Sequence, residues 1–343
     1  MNRVTIIGCF AEKKDLFDGQ TIKTRTISQE LSKIYDKEGV ANIDTYLWKN
    51  NILELIKKII YQFKYSKNII MMPAENGLKV FAPLLMVLNK FYKRKLIYIV
   101  IGGWLYDFLQ NHKYLVRILK KFDVIYVETK TMKLNLERLG LLNIEVLPNF
   151  KSINTVAFED LKINNSERVN ICTFSRVMKE KGITSSIDLI KKLRINGVEC
   201  KLDIYGNINS KYEDEFLKLL EENEEFIFYK GTVNPNESVN VLKNYDLMLF
   251  LTTYEGEGFP GTLIDALFAG LPVMATDWKY NGEIISHEKT GYIVNIDEYD
   301  KLIRYVQKIS KNKTILVDMK KRCLDEAKKY NPSELIAELA KKL

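Results

Sequence analysis

The feature that most constrains this fold is the regular alternation of short apolar runs with helical patterns along the whole chain. Runs rich in Val, Ile and Tyr, such as Val4–Gly8, are typical of buried strands. Between them lie segments such as residues 50–66, in which apolar side chains recur three and four residues apart. Strands that alternate with helices pair in parallel, because each helical crossover returns the chain to the same edge of the sheet. The sequence therefore predicts an α/β fold.

The alternation occurs in two series, and the first series predicts six strands. These are Val4–Gly8, Asn42–Tyr46, Asn68–Met72, Leu96–Ile101, Asp123–Val127 and Glu145–Leu147. The second series predicts six more: Val169–Phe174, Lys201–Tyr205, Phe226–Tyr229, Leu247–Leu251, Val273–Thr276 and Tyr292–Val294. Helical patterns near 297–311, 314–329 and 333–342 follow the last strand.

A polar, weakly periodic stretch over residues 147–168, punctuated by Pro148, separates the two series. We therefore predict two Rossmann-like parallel-sheet domains, residues 1–150 and 151–330, that face each other across a cleft. Residues 331–343 should form a C-terminal helix that packs back toward the first domain. A chain with two such sheets is expected to hold its ligand in the cleft, since open parallel sheets bind ligands beyond the carboxyl ends of their strands.

Composition narrows the function classes. The chain is 46% hydrophobic and 28% charged, as expected of a globular protein. Its cysteines lie far apart, which argues against a zinc or redox pair and fits a reducing cytoplasm, and its two histidines argue against a multi-histidine metal centre. No apolar stretch reaches the length of about 20 residues that a membrane span needs, and the start of the sequence lacks the pattern of a signal peptide. A soluble or peripherally membrane-bound cytoplasmic protein is expected.

Positive charge is concentrated in the first half of the chain. Residues 1–150 contain 24 Lys and Arg against 14 Asp and Glu, whereas the remainder contains 28 against 30. Lys57, Lys58, Lys64 and Lys67, close in sequence to Tyr61, Phe91 and Tyr92, could dock on an anionic membrane or simply form a solvated face. No nucleic-acid-binding motif accompanies this charge, so nucleic acid is not an expected partner.

Two cations follow the first strand of the second series. Arg176 and Lys181 lie in "FSRVMKEKGI", at the carboxyl end of that strand, where both could turn toward one anionic group. Taken alone, such a pair is more typical of a solvated loop.

A glycine-rich segment before a helix favours the interpretation that Arg176 and Lys181 bind an anionic group. In "EGEGFPGTLID", residues 255–261 are too rich in glycine to be regular, and Gly261, Thr262 and Leu263 begin a helix. A glycine-lined helix start presents backbone N–H groups and the positive end of the helix dipole, which together hold phosphate. Asp265 and Glu257 are acceptors suited to sugar hydroxyls, although Asp265 could merely favour the helix dipole.

Together these residues carry a resemblance. Arg176 and Lys181, followed by Glu257 and Asp265 in "EGFPGTLIDALFAGLPVMATD", resemble the donor site of glycosyltransferase family 4, retaining enzymes of the GT-B fold. The segments "LPN", "LDIYG", "YKGTV", "NGEII" and "TGYIV" occur in the expected order between residues 145 and 295. The first half resembles the family in architecture more than in motif.

The resemblance implies a role for each matching residue. Arg176 and Lys181 would bind the donor diphosphate with the amides near Thr262 and Leu263, and Glu257 would contact the transferred sugar. Asp265, where the family normally has Glu, would contact the ribose with a shorter reach, and Glu255 is a rival for the sugar contact. The remaining donor-side positions, which the resemblance places near the nucleotide, are Gly206, Lys230, Gly231, Val233 and Gly261.

Acceptor-side residues are expected in the first half. The segment "GCFAEKKDLFDGQTIKTRTI" follows the first strand, and Gly19, Gln20 and Thr21 occupy the place of a cleft-lining glycine-rich loop in many relatives. Gly103 and Trp104 stand where many family members have an acceptor-side histidine. An ordinary solvated loop remains the alternative for residues 8–27.

The resemblance implies an enzyme that moves a sugar from a nucleotide diphosphate, with UDP the expected nucleotide, to a glycan or a polyprenyl-diphosphate-linked acceptor. It implies retention of anomeric configuration and assembly of surface polysaccharide or glycoprotein. We expect no cofactor and no metal, since the carboxylate ligands of a metal site are not evident. Two alternatives stay open: a non-catalytic partner subunit with this fold, and an NDP-sugar epimerase or hydrolase. A Rossmann dehydrogenase is disfavoured, because "GCFAEK" does not supply its glycine motif.

Overall fold

The computed structural model describes residues 2–11, 19–161 and 168–343, and it divides into two compact units. Unit 1 contains Met1–Ser152 together with Tyr330–Leu343, and unit 2 contains Ile153–Lys329. Each unit is built around one six-stranded parallel sheet flanked by helices. The predicted α/β class with two parallel sheets is confirmed.

Unit 1 has the strand order β2-β1-β3-β4-β5-β6. Its strands are β1 Asn2–Gly8, β2 Val40–Asp44, β3 Ser66–Met71, β4 Lys95–Ile99, β5 Val124–Val127 and β6 Ile144–Val146. Its helices are α1 Gly19–Tyr35, α2 Ile52–Tyr65, α3 Glu75–Tyr92, α4 Leu105–Gln110, α5 Lys113–Leu119, α6 Lys130–Arg138 and, from the end of the chain, α14 Pro332–Lys341. Val, Ile and Leu dominate the strands, because both faces of the sheet are covered.

Helix α14 completes the core of unit 1. Ile336 and Leu339 are buried in one apolar cluster with Ile27 and Leu31 of α1. The Tyr35 hydroxyl donates a hydrogen bond of 2.6 Å to the Ala340 carbonyl. The start of α14 is encoded locally, since Pro332 occupies its first turn and the side chain of the capping residue Asn331 accepts the Ser333 amide.

Unit 2 has the strand order β12-β11-β10-β7-β8-β9. Its strands are β7 Val169–Phe174, β8 Cys200–Tyr205, β9 Ile227–Tyr229, β10 Leu247–Phe250, β11 Val273–Thr276 and β12 Gly291–Val294. Its helices are α7 Ile183–Ile195, α8 Glu213–Glu221, α9 Ser238–Leu242, α10 Gly261–Phe268, α11 Asn281–Ile284, α12 Tyr299–Lys311 and α13 Lys313–Ala327.

Each sheet has a point at which the direction of strand addition reverses. In unit 2 this point lies between β7 and β10, and in unit 1 it lies between β1 and β3. Helical crossovers leave the sheet in opposite directions there, so the loops after the two strands separate and open a crevice at their carboxyl ends. In open parallel sheets such a crevice is the usual ligand site, so each unit has one candidate place for a ligand.

Most predicted strands occur within one to two residues of the expected bounds, and β7 and β11 match them. The second strand is displaced, covering Val40–Asp44 instead of Asn42–Tyr46. The Asp44 carboxylate explains its end, because one oxygen accepts the backbone amides of both Phe10 and Tyr46 and turns the chain away from the sheet.

The predicted loop over residues 8–27 is wrong from Gly19 onward. Gly19, Gln20 and Thr21 form the first turn of α1, whereas residues 12–18 lie outside the part of the chain that the structure describes. Helical periodicity was concealed because polar residues occupy the buried face of α1, among them Thr21, Lys23 and Thr24. Lys23 is tolerated there because its ammonium lies 2.7 Å from the Glu128 carboxylate, also buried.

None of the helices in the described residues combines the length and the apolar character needed to cross a bilayer.

Candidate functional site

Arg176 and Lys181 lie together at the carboxyl end of β7, beside the point where unit 2 reverses its strand order. Arg176 is exposed, and Lys181 ends a short 3-10 turn with a side chain that is 9% exposed. Both cations contact the ring of Tyr254, with the guanidinium carbon 5.2 Å and the lysine Nζ 4.8 Å from its centroid. Two positive charges are thus held side by side by one aromatic ring.

Glu257 joins this pair of cations. Its Oε2 lies 2.5 Å from the Lys181 Nζ and accepts the Thr252 hydroxyl at 3.0 Å. The Glu257 side chain is 9% exposed. The carboxylate is therefore fixed in orientation by an ion pair and a hydroxyl donor before any ligand binds.

The backbone brings the Lys181 turn against the end of β10. Gly182 has a φ of +75°, and a Cβ at this position would lie 2.1 Å from the Leu251 carbonyl oxygen. The Thr253 amide donates to the Glu180 carbonyl at 2.8 Å, which ties the two segments. Only glycine allows this approach, so Gly182 is what lets Lys181 reach Glu257.

Sequence reasoning did not single out Gly182, Thr252 or Tyr254. Gly182 directly follows Lys181 in "EKGI", and a glycine at a strand-to-helix turn is a recognisable signal for close backbone approach. Nothing in the sequence indicates that the Tyr254 ring would lie against both cations.

Glu255, the rival carboxylate, is occupied elsewhere. Its side chain is 76% exposed and lies 2.7 Å from the Lys279 ammonium. The adjacent Trp278 donates its indole N–H to the Tyr254 carbonyl at 2.9 Å. Glu257 is thus the carboxylate of this loop that lies beside Lys181.

Helix α10 begins next to these groups, as predicted. The Thr262 hydroxyl donates to the Phe174 carbonyl at 2.7 Å, which anchors the first turn of α10 to the end of β7. The Leu263 amide is engaged in that turn, since it donates to the Pro260 carbonyl at 3.1 Å. Asp265 lies further along α10 and is only 2% exposed, so its predicted contact with a ribose stays a prediction.

The predicted nucleotide-side residues Gly206 and Gly231 lie together after β8 and β9. Gly206 has a φ of +137°, and a Cβ there would meet the Ser175 carbonyl oxygen at 1.8 Å. Its amide donates to the Gly231 carbonyl at 2.9 Å. Lys230 is exposed, with its ammonium 5.3 Å from the Phe228 ring centroid, and Val233 is half-buried.

A buried hydroxyl chain supports the end of β8. The hydroxyls of Tyr205 and Tyr245 lie 2.7 Å apart, and Tyr245 donates to Asp203 Oδ2 at 2.7 Å. Burial raises the pKa of Tyr205 and of Tyr245 above the usual range of a phenol. Because the Tyr245 hydroxyl donates its one hydrogen to Asp203, the Tyr205 hydroxyl is the donor between the two tyrosines.

The predicted acceptor-side residues of unit 1 divide into two groups. Gln20 and Trp104 line one pocket of about 410 Å³ at the carboxyl ends of the strands. Gly19, Thr21 and Gly103 are not among the described residues that line this pocket. Thr21 is fully buried, because it lies on the core-facing side of α1.

Within residues 2–11, 19–161 and 168–343, no group of three or more His, Cys, Asp or Glu side chains is arranged to hold a metal ion. The predicted independence from metal stays a prediction.

Curated relatives resemble this chain over part of its length. It is 27% identical over 208 residues to a poly(ribitol-phosphate) alpha-N-acetylglucosaminyltransferase of Staphylococcus aureus, covering 58% of this chain and 40% of the relative. It is 28% identical over 181 residues to the GtfA subunit of the UDP-N-acetylglucosamine–peptide N-acetylglucosaminyltransferase of Streptococcus gordonii, covering 51% and 34%. The chain thus spans less than half the length of these relatives.

Solved structures resemble this chain over nearly its full length. Anabaena HepE in complex with UDP has a TM-score of 0.72 at 13% identity, covering 100% of this chain and 99% of that one. Sucrose-phosphate synthase from Thermosynechococcus elongatus also has a TM-score of 0.72 at 13% identity, covering 100% and 98%. At such low identity these likenesses establish the fold alone, which is the two-sheet fold predicted from the sequence.

A family model provides the assignment. The model described as "Glycosyl transferases group 1" matches residues 157–330, which include every residue of the unit 2 site described above. Because that match covers just over half of the chain, this protein belongs to the glycosyl transferases of group 1.

Proposed function

We propose that this protein is a retaining, metal-independent glycosyltransferase of the family 4 type that uses a UDP-sugar. The observation that carries the proposal is the arrangement of Arg176, Lys181 and Glu257 around Tyr254, at the strand reversal of unit 2. The similarity to subunits of UDP-N-acetylglucosamine–peptide N-acetylglucosaminyltransferases favours UDP as the nucleotide. The identities of the nucleotide base and of the transferred sugar are also part of this proposal.

The chemistry requires stabilisation of a leaving diphosphate. Cleavage of the glycosyl–phosphate bond places negative charge on the diphosphate and positive character on the sugar. Arg176 and Lys181 are placed to stabilise the first charge, because preorganised cations act on developing charge without the cost of reorganising at the moment of reaction. Glu257 would then contact the transferred sugar and keep Lys181 in position.

Retention of the anomeric configuration favours attack by the acceptor hydroxyl from the same face as the departing phosphate. That phosphate would take the proton of the acceptor hydroxyl. The alternative is a double displacement with Glu257 as nucleophile. The ion pair with Lys181 and the bond from Thr252 weigh against it, since both stabilise the carboxylate as an anion and lower its nucleophilicity.

For the acceptor we propose a glycan or a polyprenyl-diphosphate-linked oligosaccharide bound by unit 1, in surface polysaccharide or glycoprotein assembly. We also propose peripheral contact with an anionic membrane through the outward face of α2. That face carries Leu53, Lys57, Tyr61 and Lys64, of which Leu53 is 74% and Tyr61 59% exposed. Exposed apolar side chains interleaved with lysines are the composition expected of an interfacial helix.

The proposed function is tested by nucleotide binding and turnover. A ligand that binds only the folded state stabilises it by RT ln(1 + [L]/Kd), about 2.7 kcal/mol at a concentration of 100 Kd. We expect UDP at that concentration to raise the melting temperature by about 5–11 °C for a domain of this size, and GDP, ADP and dTDP to raise it less.

Turnover separates the enzyme from its alternatives. We expect UDP release from UDP-N-acetylglucosamine to be accelerated by a glycan acceptor and unaffected by a chelator. UDP binding without turnover on any acceptor would support a non-catalytic partner subunit. The absence of stabilisation by every nucleotide would contradict the proposed function.

A further inference from the structure

Unit 1 contains a pocket at its own strand reversal, between the carboxyl ends of β1 and β3. Cys9 follows β1 and Pro73 follows β3, and both line the pocket of about 410 Å³. This volume lies within the range of about 300–1,000 Å³ typical of sites for small molecules. All of its described lining residues belong to unit 1 and lie outside the residues that the family model matches.

Aromatic rings form much of its wall. Trp104 is fixed in place, since its indole N–H donates to the Ile101 carbonyl at 2.9 Å and its ring packs edge-on against Phe108. Trp48 is held edge-on against Phe81, with ring centroids 5.4 Å apart. The faces of such rings carry negative charge density and attract the C–H groups on the apolar face of a sugar ring.

The polar groups of the pocket suit hydroxyl groups. Gln20, Thr45, Glu75 and Asn76 contribute amide, hydroxyl and carboxylate groups to its lining. Gln20 is oriented by donating its side-chain N–H to the Met72 carbonyl at 3.1 Å. Among the described lining residues Glu75 is the one with a formal charge, so this lining opposes a phosphate and accepts an uncharged polyol.

The backbone beside Trp48 is strained. Leu47 has a φ of 52°, in the left-handed region, although its side chain is 57% exposed and gains little from burial. Non-glycine residues in this region occur at turns and also cluster at ligand sites. Here Leu47 directs the chain from Tyr46 into Trp48, both of which line the pocket.

We infer that this pocket binds an uncharged pyranose ring, stacked against Trp48 and Trp104 and hydrogen-bonded by Glu75 and Asn76. The identification of that ring as part of the acceptor rests on the proposed function, whereas the binding of a sugar does not. An acceptor bound in this way is recognised by its sugar, and any diphosphate that it carries must be held by other groups.

Tryptophan fluorescence provides the test, because the chain contains only Trp48, Trp104 and Trp278. In the full-length Trp278→Phe protein the signal comes from the two pocket tryptophans. We expect a saturable change on titration with the methyl glycosides of glucose, galactose or N-acetylglucosamine, and none with inorganic phosphate or glycerol phosphate. Saturation by the phosphates alone, or by no glycoside, would overturn the inference.

Exposed polar residues allow variants that keep the fold. We expect Glu75→Ala and Asn76→Ala to weaken glycoside binding about fivefold to thirtyfold, the loss expected for one or two hydrogen bonds. Asn111→Ala is the matched control, since Asn111 is exposed in unit 1 and does not line the pocket. Unchanged binding in both pocket variants would reject the inference.

The two proposals fail separately. Stabilisation by UDP reports on unit 2 and is measured on proteins that retain Trp278, because the indole N–H of Trp278 donates to Tyr254 in the unit 2 site. If the protein with an unaltered pocket bound no glycoside while UDP still stabilised it, the pocket inference alone would be wrong, whereas glycoside binding without UDP stabilisation would contradict the proposed function alone.

Discussion

Arg176 and Lys181 are five residues apart in sequence, yet a single tyrosine ring lies within 5.2 Å of the one and 4.8 Å of the other. Two cations so placed repel each other, and the ring, together with Glu257, offsets that repulsion while no anion is bound. A diphosphate would provide a stronger partner for both.

Replacement of Arg176 or Lys181 should lower the turnover rate more than the stability. The loss of stability should differ between the two variants. We expect Arg176→Ala and Lys181→Ala to lower kcat by a factor of about 10²–10³, as for other groups that stabilise developing negative charge. Arg176 is exposed, so its variant should melt like the wild type. Lys181→Ala leaves Glu257 without its cation in a site that is 9% exposed, and should cost about 1–3 kcal/mol of stability.

These expectations are checked by initial rates of UDP release together with thermal melts. Lys211→Ala, at an exposed position of the same unit, is the control for the removal of a positive charge. Wild-type turnover in either site variant would remove that residue from the mechanism.

Glu257→Gln should separate the effect on sugar transfer from the effect on nucleotide binding. The amide keeps the shape of the side chain but loses the ion pair with Lys181. We expect kcat for sugar transfer to fall by a factor of about 10², while UDP binds as well or better, because Lys181 is no longer neutralised. Calorimetric titration with UDP, paired with transfer rates, distinguishes the two effects. Equal losses in both would contradict the role proposed for Glu257.

The sequence predicts some residues of the unit 2 site and misses others. Arg176 and Lys181 were singled out because they follow a parallel strand, and Glu257 because it is an acceptor in the loop before α10; the resemblance to glycosyltransferase family 4 gave the three residues their expected roles. Tyr254 was missed because aromatic residues occur in loops and cores alike, and its contact with two cations depends on tertiary packing alone. The start of α1 was misassigned to a loop for a similar reason, because Lys23 on its buried face is paired with Glu128, which lies far away in sequence.

At the scale of elements, glycines with positive φ set how closely β7, β8 and α7 approach. Gly182 and Gly206 each place backbone where a Cβ would overlap a carbonyl oxygen, at Leu251 and Ser175 respectively. The strand and helix pattern was predictable from hydrophobic periodicity. The close approaches were not, because they depend on the three-dimensional neighbours of each glycine.

Gly206→Ala should therefore disturb the nucleotide site through the backbone. Alanine is strained at a φ of +137°, and its Cβ would lie 1.8 Å from the Ser175 carbonyl oxygen. We expect a loss of about 2 kcal/mol or more in stability, and a further loss in UDP affinity. Denaturant unfolding and UDP titration measure the two effects.

Gly19→Ala is the matched control for this prediction. Gly19 stands at the start of α1, and a Cβ there would meet no heavy atom of the described residues within 4 Å. Its unfolding midpoint should remain close to that of the wild type. If Gly206→Ala behaved like this control, the assigned contact between Gly206 and Ser175 would be wrong.

At the scale of the whole molecule, charge is divided between the halves of the sequence, with 24 basic against 14 acidic residues before position 151. This asymmetry predicts how the protein distributes between water and an anionic surface. The full-length chain should sediment with vesicles of phosphatidylglycerol and phosphatidylcholine, and much less with phosphatidylcholine alone, since each lysine near such a surface contributes about 1 kcal/mol.

Higher salt concentration and substitution of exposed apolar residues both test this prediction. Binding should fall between about 0.1 M and about 1 M salt, as the Debye length shortens from about 10 Å to about 3 Å. Tyr61→Ser with Leu53→Ser should weaken it further, whereas Ile195→Ser, which removes an 84% exposed side chain from unit 2, should not. Equal binding to both vesicle types would refute docking on an anionic membrane.

The return of α14 to unit 1 has a consequence for biosynthesis. A ribosome finishes Ser152 and must then make the whole of Ile153–Lys329 before the segment that covers Ile27 and Leu31 emerges. At about 5–20 residues per second this interval lasts roughly 10–35 s. Throughout it the nascent first sheet keeps an apolar flank uncovered, so the second half can reach its native state while the first still waits for its final helix.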